Sequence, residues 1–114
     1  MDIEDLRSIC LQLRHTEESI KWGNDLVFTI GAKMYCIAGM DHPLQFSLKV
    51  PPENFDEWCA RPGVQPAPYL ARASWILLQQ PQNFSLDEIK KLVAESYHLV
   101  AAKLTKKQKA ELGI

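Results

Sequence analysis

Between residues 19 and 78 lie segments in which apolar side chains recur at every second position, framed on both flanks by segments with helical spacing; few folds take both patterns in that order. A period of two puts alternate residues on opposite faces of a strand. Ile20 and Trp22 alternate with Ser19 and Lys21 in a first strand, and Leu26, Phe28 and Ile30 with Val27 and Thr29 in a second. Gly31-Ala32 makes a tight hairpin into a third strand, Lys33 to Ala38. Gly39 to Pro43 is the next turn. Phe46, Leu48 and Val50 mark a fourth strand, and a fifth runs from Ala73 to Leu78.

The helical segments carry their own punctuation. Ile3, Leu6, Cys10 and Leu13 predict a helix over about residues 3–14, with Asp2 placed to cap it. Pro51-Pro52 opens a second, whose stripe is Phe55, Trp58 and Cys59 and whose stop is Pro62-Gly63. A third starts with a capping box, Ser85 with Glu88, and a hydrophobic staple, Phe84 with Ile89. Ile89, Val93, Ser96 and Val100 then share one stripe, leaving His98 toward solvent. Thr105 with Gln108 is a second capping box, opening a short terminal helix that Gly113 ends. Residues 62–68 read as a proline-rich loop. The order predicts an α+β two-layer sandwich, a mostly antiparallel sheet of about five strands with helices on one face. At 114 residues this is one domain, 1–114.

Composition narrows the function classes. Charged residues make up 24% and hydrophobic ones 46%, as in an ordinary globular chain. No run reaches the length of a membrane span, and the acidic start is unlike a signal peptide, so a cytoplasmic protein without a membrane partner is expected. Three cysteines without a CxxC are not a disulfide framework. The net charge of −1 is unevenly divided: residues 1–57 sum to −5 and residues 58–114 to +4, with Lys103, Lys106, Lys107 and Lys109 close together. Such a chain can present a local basic patch despite its neutral total.

Catalytic constellations are missing from the sequence. His15, His42 and His98, with Cys10, Cys36 and Cys59, have no zinc-site spacing, so no metal and no cofactor are expected. The cysteines read as core residues and the histidines as surface ones. Neighbouring carboxylates, Glu17 with Glu18 and Asp56 with Glu57, point to different faces and do not converge. No nucleophile elbow or phosphate loop occurs, and a non-enzymatic protein is expected. Aromatic and basic residues offer more. Trp22, Tyr35, Tyr69 and Trp75 lie on or beside strands, near Lys21, Lys33, Lys49 and Arg72. On the face without helices they could stack on planar groups and neutralise phosphate. The plainer reading is that the tryptophans close the rim of the core while the lysines solubilise edges.

Several strings resemble the MmcQ/YjbR family: Lys21-Trp22-Gly23, Phe28 to Tyr35, Ser47 to Pro51, Pro66-Ala67-Pro68-Tyr69, Trp75, Glu95 to Val100, and Leu104 to Gln108. The likeness runs from the first helix to about residue 109. It implies a frataxin-like (CyaY-like) fold and, by analogy with a double-wing domain, DNA binding; it brings no catalytic residues and no cofactor. Frataxins hold iron on an acidic ridge, where this chain offers Asp2, Glu4, Asp5, Glu17 and Glu18 without a dense carboxylate ladder. The resulting expectation is a DNA-binding monomer contacting phosphates through Lys106, Lys107 and Lys109, with Arg72, Lys33 and Lys49. The alternative is a module for a small anionic ligand or a protein, using Trp22, Tyr69 and Trp75 on the open face.

Overall fold

The structure, a computed structural model, describes residues 1–41 and 43–114; His42 and its share of the 39–43 turn lie outside the described residues. Helix α1 (Ile3–Leu11) is followed by strands β1 (Thr16–Lys21), β2 (Asp25–Ile30), β3 (Lys33–Gly39) and β4 (Phe46–Lys49). Then come α2 (Phe55–Cys59), β5 (Val64–Pro66), β6 (Trp75–Leu78), α3 (Leu86–Ala101) and α4 (Lys106–Leu112). The strands form one antiparallel sheet in the order β1-β2-β3-β4-β6-β5. The α+β class and the helix layer are those predicted.

Among the described residues six strands stand where about five were expected. The extra one, β5, comes from the segment read as a loop: Val64 pairs with Leu78 and is buried. Pro66 is tolerated because β5 lies at the sheet edge, where its missing N–H leaves no partner wanting. In β1 the predicted alternation is also displaced. Register with Ile30, Phe28 and Leu26 turns Thr16, Glu18 and Ile20 toward the helices. Glu18 is held there by the Arg7 guanidinium of α1, whereas Ile20 remains 60% exposed and Trp22 falls in the turn beyond the strand.

The helix layer forms as its caps dictate. Both predicted capping boxes close, Ser85 with Glu88 and Thr105 with Gln108, and Asp2 with Asp5 forms a third at α1. A bulge between Phe28 and Thr29 lets Tyr35 and Cys36 both enter the core. The Tyr35 hydroxyl meets Thr16 Oγ1 at 2.8 Å and donates to the Cys10 carbonyl. Ser96, fully buried on α3, donates to the Tyr35 carbonyl and accepts from the Lys49 amide. Cys10 and Cys36 are buried as expected, and Cys59 half-buried. His98 is exposed. His15, expected at the surface, is half-buried: its backbone at φ +65° turns the chain from α1 into β1, and among the described residues its Nε2 is enclosed without a partner.

Candidate functional site

Strand register sorts side chains onto the face that no helix covers. Paired residues share a face, so Asp25, Val27 and Thr29 of β2 lie on it with Met34 and Ile37 of β3, Ser47 of β4 and Leu77 of β6. The chain between β5 and β6 comes over this surface, bringing Pro68, Tyr69 and Leu70. Between sheet and loop lies a concavity of about 620 Å³, whose wall is mainly Ile37, Leu77, Met34 and Leu70. Its polar lining is Asp25, Gln45 and Ser47, and no lysine or arginine lines it.

Two aromatic side chains flank the hollow. Trp22 is 67% exposed and Tyr69 wholly so. Both stand in left-handed backbone, φ +52° for Trp22 and +66° for Tyr69. In the three-residue turn between paired Lys21 and Asp25, Trp22 and Gly23 have consecutive positive φ values, a left-handed backbone that favours Gly or Asn over a bulky side chain. For a bulky side chain the left-handed conformation costs about 1–2 kcal/mol. A fold spending that strain to expose an indole and a phenol beside an apolar hollow matches the usual setting of strained residues, at functional sites.

The remaining residues singled out from the sequence fall elsewhere. Trp75 faces the open side by register, opposite Lys49, but is only 5% exposed and offers a ligand no ring face. Burial does this: the chain before β6 folds over it, with Ala67 and Trp75 joined backbone to backbone. Lys49 is also buried, and its ammonium donates to the Ala73 carbonyl. Burial, then the nearby Lys103 charge, hold its pKa below the ordinary lysine value. Lys33 donates to the Lys103 carbonyl at 3.0 Å. Arg72 is exposed in the turn that precedes β6.

Helix α4 sits near the β2–β3 turn, where Gln108 Nε2 donates to the Gly31 carbonyl. Lys106 and Lys107 project outward; Lys109 is half-buried. Lys33, Lys49, Arg72 and the α4 lysines therefore gather toward one end of the strands, while Trp22 and Tyr69 serve the concavity. Reasoning from sequence missed Asp25, Ile37 and Leu77. For Leu77 the signal was present in a strand apolar on both faces, the unbroken run Trp75 to Leu78, whereas Asp25 carried none. Among the described residues no group of three or more His, Cys, Asp or Glu could hold a metal ion, and no helix is long and apolar enough to cross a membrane.

Among the described residues, an antiparallel sheet backed by four α-helices, with an aromatic-flanked hollow on its free face, defines a small α+β protein with a candidate sheet-face site. The chain belongs to the YjbR family, whose family model matches residues 11–99. It is similar to a Deinococcus radiodurans protein carrying a DUF419 domain, with 32% identity and a TM-score of 0.88, covering 99% of this chain and 88% of that one. A Pseudomonas syringae protein shares the fold at 21% identity and a TM-score of 0.74, covering 88% of this chain and 99% of that one. No curated protein matches the chain.

Proposed function

We propose that this protein is a non-catalytic binding module whose site is the hollow on the open sheet face. The observation that carries this reading is the pair of strained, exposed aromatics, Trp22 and Tyr69, beside an apolar cavity of small-molecule size. Binding rather than catalysis is supported by where the perturbed groups lie. Tyr35, its pKa pushed up by burial, and Cys36, pushed up by the Cys10 side chain and then by burial, belong to the helix-side core. Lys49, held down by burial, lies outside the lining of the hollow. The titratable groups lining the hollow are one half-buried carboxylate and one exposed phenol.

The test is a titration with 2-naphthamide, a neutral planar probe, followed by backbone amide NMR. Shifts should concentrate at Ile37, Ser47 and Leu77, and Tyr69→Ala should weaken binding about fivefold, an ordinary contribution for one aromatic contact. Shifts scattered over the surface, or none, would remove the site.

A second reading is duplex DNA, implied by family resemblance and supported by the gathering of exposed Arg72, Lys103, Lys106 and Lys107 with half-buried Lys33. Each lysine on a phosphate contributes about one unit to the slope of log affinity against log salt. Replacing Lys106 and Lys107 by glutamine should flatten that slope by about two units. No binding at about 50 mM salt would dispose of the DNA reading, because contacts to phosphate are strongest when screening is least.

A further inference from the structure

We infer that the hollow selects a ligand with a planar aromatic body and a positively charged head, such as an amidinium or ammonium group, seated toward Asp25. This rests on the proposed site and names the chemistry it would accept. Asp25 is the one charged residue lining the hollow, and it is half-buried. Among the described residues its carboxylate takes part in no ion pair and accepts no hydrogen bond. Lys21 stands opposite it in the β1–β2 register, yet lies outside the lining and beyond ion-pair distance.

A carboxylate left without a donor in a largely apolar wall has an unmet demand that a cationic ligand satisfies. The two aromatics act in the same direction, because ring faces attract cations. The wider field agrees. Trp22, Asp25, Gln45 and Ser47 all belong to residues 1–57, the stretch that sums to −5. An anion of the same shape would meet Asp25 with no basic residue in the lining to offset it, since Lys21, its cross-strand neighbour, lies outside the hollow; this is the reverse of the small anionic ligand expected from sequence.

Three nearly isosteric probes separate the charge preference from binding itself: 2-naphthamidinium, 2-naphthamide and 2-naphthoate, titrated near neutral pH with the same NMR readout. The amidinium should bind about tenfold more tightly than the naphthoate, with the amide between them, and added salt should narrow the gap. Asp25→Asn should bring the three within about twofold of one another. Gln45→Lys, which leaves Asp25 in place and adds a charge to the wall, should shift the preference toward the naphthoate whether or not the Asp25 variant folds. Equal affinities in the unaltered protein, or a preference for the naphthoate, overturn the inference while leaving the binding reading intact. Absence of shifts at Ile37, Ser47 and Leu77 with every probe overturns both.

Discussion

Trp22 shows how one residue can be chosen against the backbone that carries it. At φ +52° the hairpin turn would be better served by Asn or Gly, and the indole, two-thirds exposed, buries little in return. Local stability and the proposed site therefore pull in opposite directions, and Trp22→Asn separates them. That variant should unfold at the same temperature or higher, with a gain of up to about 1 kcal/mol from relieved strain, while losing affinity for planar probes. Thermal unfolding beside a naphthamide titration checks both halves. A variant that loses stability would show that the indole packs for the fold and is not displayed for a ligand. Tyr69, at φ +66° and wholly exposed, poses the same opposition on the loop side.

Among the elements, α3 is held to the sheet by a polar contact as well as by its apolar stripe. Ser96 Oγ lies 2.6 Å from the Tyr35 carbonyl and 2.9 Å from the Lys49 amide, at the end of the β3–β4 ladder, which pairs only Cys36–Ala38 with Phe46–Leu48. The hydroxyl supplies one donor and one acceptor to backbone groups that the sheet leaves unpaired. Ser96→Ala should destabilise the protein by about 2–3 kcal/mol in chemical denaturation, with the denaturant slope unchanged, because two buried backbone groups lose their partners. A loss below about 0.5 kcal/mol would mean that water replaces the hydroxyl. In sequence this serine reads as one more member of a helical stripe. Its bonds follow from the distance between α3 and two particular strands, which no local pattern encodes. Helix ends are the opposite case: both predicted boxes, Ser85 with Glu88 and Thr105 with Gln108, close because every partner lies within three residues.

For the whole molecule, carboxylates held by arginines and backbone amides set how stability responds to acid. Arg7 ties α1 to β1 through Glu18, and Arg61 ties the end of α2 to α3 through Glu88. The Arg7 side-chain bond holds the Glu18 carboxyl below its ordinary value of 4.5. The Ser85 backbone bond, then Arg61, do the same for Glu88. Asp2 is lowered first by the Asp5 backbone amide. These groups have lower values folded than unfolded, so their contribution is complete above about pH 4.5 and is lost as pH falls through the folded values. Stability should be nearly flat from pH 7 to 5 as far as these groups decide it, then decline below about pH 4. Glu18→Gln should make that decline shallower. Denaturation midpoints at a series of pH values measure it, and an identical decline in the variant would show that Arg7 and Glu18 are not coupled in solution. Both side chains are about one-third exposed, which keeps the effect modest.

The sequence by itself determined the α+β class, the helix starts and four of the six strands' central residues, because hydrophobic period and capping are local physics. It also determined that the chain is electrically divided, since the charges of residues 1–57 and 58–114 are simple counts. Strand β5 escaped that reading because Pro66 is permitted only by its place at an edge, and edges exist only once the sheet has assembled. The proposed binding surface was half visible. Trp22 and Tyr69 stood out as aromatics, but Trp75 looked their equal until folding buried it. Lys49 looked like a free cation until its ammonium met the Ala73 carbonyl. Asp25 carried no signal at all. Its importance comes from standing beside Ile37, Ser47 and Leu77, which lie on three other strands, and only antiparallel register across β2, β3, β4 and β6 brings those four side chains to one wall.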